Sequence, residues 1–155
     1  MLGRFAEAGA FEGKLFVSLG RNDFRAQLFR AERSVVLIDP SAVVDETVRI
    51  GLGTVVMAGA VVNVDSVIGE NCILNTGCSV DHDCVIEDHV HLCPGTHLAG
   101  TVRVGSGVML GTGTSVIPGR SIGAGSVVGA GAAVVRDLPA GIVATGVPAR
   151  VVRDV

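Results

Sequence analysis

The run Leu74-Asn75-Thr76-Gly77-Cys78-Ser79-Val80-Asp81-His82-Asp83-Cys84-Val85-Ile86 carries an aliphatic residue at every sixth place. The register holds outward in both directions without a slip. Ile38, Val44, Ile50, Val56, Val62 and Ile68 precede it, and Leu92, Leu98, Val104, Leu110, Val116, Ile122, Val128 and Val134 follow. Four places after each aliphatic residue stands a small or β-branched one, as at Ala42, Thr54, Cys72, Cys78, Cys84, Thr96 and Ser126, with Arg120 the exception. Three places after it glycine dominates, from Gly53 and Gly59 to Gly125 and Gly131.

A short, unbroken internal repeat is the mark of a solenoid. Side chains alternate along a strand, so the small residue and the aliphatic residue two places later point inward together while their neighbours point out. The two remaining places make a corner. Glycine at the second of them suits φ > 0, and Pro94-Gly95 and Pro118-Gly119 read as type II turns. Three strands and three corners close one triangular coil, and coils stack about 4.8 Å apart. The expected class is therefore all-β: a parallel β-helix, a triangular prism of hexapeptide repeats over residues 38–137, followed by a coil-end tail over 138–155.

Residues 1–37 obey a different rule and read as a short strand-helix remnant of an α/β domain. Leu15 to Leu19 suggests a buried strand, Gly20-Arg21-Asn22-Asp23 a turn, and Asp23 the cap of a helix reaching about Arg33 with Phe24, Leu28 and Phe29 on one face. Such a fragment has no core of its own. It either packs on the end of the prism or closes a larger α/β domain.

Apolar residues make up 48% of the chain, yet glycine, Asp and Asn interrupt every stretch before the roughly 18 residues of a membrane-spanning helix. Met1 to Phe16 lacks an apolar leader. A net charge of -3 and 3% aromatic residues give no footing for nucleic acid. Cys72, Cys78 and Cys84 occupy the small inward position and read as core; Cys93 points outward, and no CxxC motif is present. A cytoplasmic location without membrane insertion is expected.

Three of the four histidines fall between His82 and His91. His82 and Asp83 form a corner where most coils have a glycine-containing turn. A histidine beside carboxylates is a candidate general base, because the carboxylate orients the ring and stabilises the imidazolium. The same residues also read as an Asx-type corner with a solvated His.

The strings Asp39-Pro40-Ser41-Ala42, Asn75-Thr76, Asp81-His82-Asp83-Cys84-Val85-Ile86, His91-Leu92-Cys93-Pro94-Gly95, Leu98-Ala99-Gly100 and Gly146-Val147-Pro148-Ala149-Arg150 narrow the reading. Over about residues 15–152 the chain resembles the hexapeptide-repeat, left-handed β-helix acyltransferases. It is most similar to the bacterial sialic acid O-acetyltransferase and UDP-4-amino-sugar N-acetyltransferase group, with a truncated N-terminal domain. The resemblance implies a left-handed coil and an acetyl-CoA-dependent transfer to an amine or hydroxyl of a sugar or nucleotide-sugar acceptor. It implies His82 as general base with Asp83 its acidic partner. Asn75 and His91 would line the active site, His91 near the thioester. Gly100, Thr112 and Ala130 would lie along the pantetheine arm, and Arg150 near phosphate. The alternative is a catalytically idle β-helix module that has lost its acceptor-binding domain.

γ-Class carbonic anhydrases share the prism and hold zinc with three histidines, one followed about two coils later by two more. Here His82, His89, His91 and His97 all fall within one coil, so no metal is expected, and His89 and His97 read as surface residues. The outward residues Val55, Met57, Ile73, Met109 and Val127 form an apolar stripe interrupted by Asn75 and His91, which predicts an interface. His82 lies on the corner opposite that face. A homotrimer closed by one repeated contact is therefore expected, with His82 of one subunit meeting His91 of its neighbour.

Overall fold

The computed structural model describes residues 13–155; residues 1–12, on which the expectation about a leader largely rests, lie outside the described residues. From Leu37 onward each hexad contributes one two-residue strand. Strands three hexads apart pair in parallel, as His91–Leu92 does with Ile73–Leu74 on one side and Met109–Leu110 on the other. Three faces result. The first runs from Leu37–Ile38 to Val127–Val128 and is closed by an antiparallel hairpin of Ile142–Thr145 and Arg150–Asp154. The second runs from Val43–Val44 to Ala133–Val134, the third from Arg49–Ile50 to Ser121–Ile122.

The core is a stack of the every-sixth residues, with Val56, Leu74, Val80, Leu92, Leu110 and Val128 among those fully enclosed. The small inward position has a second task that the repeat pattern alone does not announce. Thr54 Oγ1 donates to Gly69 O at 2.8 Å and accepts from the Cys72 N–H at 2.9 Å. Ser66 does the same with Asp81 O and the Cys84 N–H, and Ser126 with Pro139 O and the Ile142 N–H. Hydroxyls here satisfy backbone groups that the two-residue strands leave orphaned and buried. Cys72 and Cys84 donate weakly to Glu87 O and Ala99 O. Burial pushes the Cys72 and Cys78 thiols up to about 12, as inert core cysteines require.

At the corners, Gly53, Gly59, Gly77, Gly95 and their successors have φ between 64° and 77°. Asp65, Asn71, Asp83, His89 and Thr101 take the same left-handed place without being glycine, at some steric cost that Asn and Asp bear best.

The N-terminal segment departs from its sequence reading. Leu15 makes one bridge, to Ser34, and no strand follows. The helix α1 spans Asn22–Leu28, with Arg21 rather than Asp23 at its N-cap, and a separate 3₁₀ turn covers Ala31–Arg33. The break at Phe29, whose ψ is 137°, lets that ring pack edge-on to His89 and fill the space beside Gly53. Nor does the segment sit on the end of the prism. It lies along the corner joining the third and first faces, where Arg25 reaches Asn71 O and His89 O and Asn22 reaches Gly107 O. Phe24, expected to share one apolar face with Leu28 and Phe29, is exposed, while Arg25 is buried.

The apolar stripe on the first face is correspondingly not a free surface. Val55, Ile73 and His91 are already buried within one chain; Met57, Cys93, Met109 and Val127 remain half-buried.

Because each coil touches only its neighbours, a void anywhere in the stack is felt locally and without relief. Leu92→Ala at the fully enclosed centre is expected to cost about 2–5 kcal/mol, read as a lower midpoint in urea denaturation with an unchanged slope.

Candidate active site

His82 stands on the corner between the second and third faces, between strands Ser79–Val80 and Val85–Ile86. Asp81 Oδ1 accepts from the His82 backbone N–H at 2.8 Å and from Asn63 Nδ2, one coil earlier, at 3.1 Å. Asp83 Oδ2 lies 2.9 Å from His82 Nδ1. A carboxylate only accepts, so Nδ1 carries the hydrogen and Nε2 presents its lone pair. The Asp83 hydrogen bond, helped by the charges of Asp81 and Asp83, raises the His82 pKa above its ordinary value. A stronger base with an unpartnered Nε2 on an exposed corner has the chemistry to accept a proton.

Gly100 lies beneath that ring, one coil on. A Cβ there would come within 2.5 Å of both Nε2 and Cε1 of His82. The corner is locked by the Thr101 N–H on His82 O at 2.9 Å and the Gly119 N–H on Gly100 O at 3.0 Å. Gly100 thus belongs with His82 and Asp83.

Asn75 and His91 form a second group, on the first face. His91 is 8% exposed. Its Nδ1 lies 3.1 Å from Gly20 O and its Nε2 3.1 Å from Asn75 Nδ2. Burial lowers its pKa, opposite to His82. Asn75 Oδ1 accepts from the Thr76 N–H at 2.8 Å. Beside this pair runs the corner between the first and second faces. There Thr76, Pro94, Thr112 and Ala130 stack one per coil through the Gly95, Gly113 and Gly131 N–H groups. Thr112 and Ala130 are exposed on it. At its far end the Gly146–Ala149 loop, with a cis Val147-Pro148 bond, is pinned to Ala133 through both Gly146 O and the Ala149 N–H. Arg150 follows directly, exposed.

The sequence-derived residues therefore fall into two clusters on different sides of one prism: His82, Asp83 and Gly100; and Asn75, His91, Thr112, Ala130 and Arg150. Two surface hollows among the described residues, of about 300 and 430 Å³, include neither His82 nor His91. Two histidines read as surface residues divide: His97 is exposed beside Ser79 Oγ, whereas His89 is half-buried, its Nδ1 2.8 Å from Asn71 Nδ2. Gly20 and Arg25, which lie outside the repeat and which sequence reading gives no place at the site, are brought beside His91 and the neighbouring corner. Among the described residues no cluster of three potential metal ligands occurs, and no helix is long and apolar enough to cross a membrane.

Residues 65–100 match the family model for the bacterial transferase hexapeptide (six repeats). No curated protein sequence matches the chain. Among solved structures it is similar to a point mutant of perosamine N-acetyltransferase from Caulobacter crescentus in complex with CoA and GDP-perosamine. The identity is 47%, covering 97% of this chain and 74% of that one, with a TM-score of 0.90. The acetyltransferase domain of PglB from Neisseria gonorrhoeae, in complex with acetyl coenzyme A, is 36% identical over 97% of this chain and 78% of that one, with a TM-score of 0.91. WeeI from Acinetobacter baumannii is 26% identical over 88% and 69%, at 0.84. The chain belongs to the hexapeptide-repeat, left-handed β-helix acetyltransferases.

The prism is accordingly left-handed, and this acetyltransferase is an acetyl-CoA-dependent acyltransferase rather than an idle module. Two substitutions probe its His82 corner. Gly100→Ala is expected to push the imidazole off its place and lower kcat strongly while thermal unfolding stays unchanged, since the clash falls on an exposed side chain. Asp83→Asn keeps a residue tolerant of φ > 0 but removes the charge. A base works only when unprotonated, so wild-type kcat/KM should rise with pH through the raised His82 pKa. In Asp83→Asn that acid limb should move to lower pH, seen in full pH–rate profiles.

Proposed function

We propose that the acetyltransferase moves the acetyl group of acetyl-CoA to an amine of a sugar or nucleotide-sugar acceptor, with His82 as general base at a site shared between subunits. The observation that carries this reading is the His82–Asp83 pair with Nε2 unencumbered above Gly100. The acceptor class follows the solved relatives, one of which is a perosamine N-acetyltransferase bound to GDP-perosamine; a hydroxyl acceptor uses the same base.

In the step, the acceptor nitrogen attacks the thioester carbonyl and forms the C–N bond as His82 Nε2 takes its proton. The C–S bond breaks, and the imidazolium returns that proton to the departing coenzyme A sulfur. Asp83 holds the ring and stabilises its cationic form. The exposed column Thr112–Ala130 and the loop before Arg150 offer an extended, side-chain-poor track suited to the pantetheine arm, with Arg150 free to meet phosphate.

His82 stands on a convex, solvated corner, where a base can neither hold an acceptor nor exclude water. A second wall is needed, and the Asn75–His91 side of a neighbouring subunit supplies the complementary cluster. A cyclic homotrimer provides this arrangement three times through one heterologous contact.

His82→Ala should reduce acetyl transfer about 10²–10⁴-fold with acetyl-CoA binding little changed, measured by thiol release and calorimetry. Light scattering should report a trimer. Mixing inactive His82→Ala and His91→Ala chains should restore part of the activity through sites that draw both wild-type residues; no recovery, or an active monomer, would defeat the shared site.

A further inference from the structure

Arg25 heads the fully buried side chains of the described residues, at 0% exposure, and no ion pair there involves it. Its guanidinium instead meets five oxygens. Nε donates to Asn71 O at 2.9 Å and Nη1 to Leu19 O at 2.9 Å. Nη2 donates to Asn22 Oδ1 and His89 O, both at 2.8 Å, and to Val90 O at 3.3 Å. Burying a cation without a counter-ion is costly. A leucine would anchor a short helix at less expense, so the charge and the fork need another reason.

The fork ties two elements together. Asn71, His89 and Val90 belong to the prism corner, whereas Leu19 belongs to the N-terminal segment. Holding Leu19 O places the next carbonyl, Gly20 O, against His91 Nδ1. A carbonyl cannot donate, so His91 Nδ1 carries the hydrogen. Burial, reinforced by the Arg25 charge, disfavours a second proton on the ring. His91 Nε2 is then a bare acceptor, filled by Asn75 Nδ2. The opposite end of Asn75 is committed as well, its Oδ1 taking the Thr76 N–H. Every bond in the chain agrees on one orientation, and the donor it leaves over is the second N–H of Asn75.

We infer that Arg25 is a positioning residue for acetyl transfer: through Leu19 and Gly20 it locks His91 in its Nδ1–H form, so that Asn75, and not His91, offers a hydrogen bond to the acyl oxygen. The functional half rests on the reading that Asn75 and His91 line the site; the tautomer does not.

The tautomer is read directly in the full-length protein by long-range ¹H–¹⁵N correlation of the imidazoles. Wild-type His91 should show a protonated Nδ1 and an unprotonated Nε2; an Nε2–H ring overturns the inference whatever any variant does. In Arg25→Lys the ammonium cannot span both elements as the planar fork does. His91 should become a tautomer mixture, kcat should fall about ten- to a hundredfold, KM for acetyl-CoA should hardly move, and His82 signals should stay in place. Added guanidinium should partly restore both kcat and the Nδ1–H signal to Arg25→Ala. A variant that melts early yet keeps the wild-type tautomer and wild-type kcat per folded chain overturns the positioning role. Full activity in Asn75→Ala with the Nδ1–H tautomer intact overturns instead the placement of Asn75 in the site.

Discussion

The stacking of each coil on the next, in a register of three hexads, is the constraint on which the rest of this acetyltransferase depends. Backbone groups of Ile73 and Asn75 pair with Val90 and Leu92 of the following coil, and so on along the prism. Two-residue strands cannot satisfy the corners, so Thr54, Ser66 and Ser126 bond backbone on either side. That ladder turns residue number into position: any two residues one coil apart lie over one another. Columns at the corners, such as Thr76 through Ala130 or His82 over Gly100, are consequences of this register and need no separate explanation.

A prism built this way is convex, and two surface hollows among the described residues hold neither His82 nor His91. The proposed base stands on a corner, where the repeat tolerates variation and Asp83 takes a place that glycine fills in most coils. Asp83 accepts the left-handed conformation that Gly95 or Gly113 adopts freely, and in exchange a carboxylate stands against His82 Nδ1. Gly100 stays glycine for the opposite reason, since the imbalance of space there favours the ring. Opposite shifts of the two histidines follow from their settings: a solvated one beside carboxylates, a buried one beside a cation. Groups pushed apart in this way suit different roles within one proposed site.

The N-terminal segment acts as a brace. Phe29 against Gly53, Arg25 against Asn71 and His89, Gly20 against His91 and Asn22 against Gly107 hold four successive coils along one corner. The same contacts occupy part of the first face that its apolar residues alone would leave open.

The sequence by itself determined the prism, its faces and its corners, because a six-residue period with inward aliphatics admits one geometry and a single slip would expose the core. It also marked His82 and Asp83, which stand at a corner where most coils have a glycine-containing turn, and family likeness added Asn75, His91 and Gly100 as candidates. It did not determine the hydroxyl ladder, since Thr and Ser at a small inward place look like simple fillers. Nor did it reveal where residues 13–37 lie. Their partners, including Asn71, His89 and Gly107, are remote in sequence, and the contacts are backbone carbonyls, which no side-chain pattern encodes. Arg25 lies outside the repeat, and only the tertiary structure gathers five oxygens around it. Which hydrogen His91 carries is decided there too, by one carbonyl, that of Gly20.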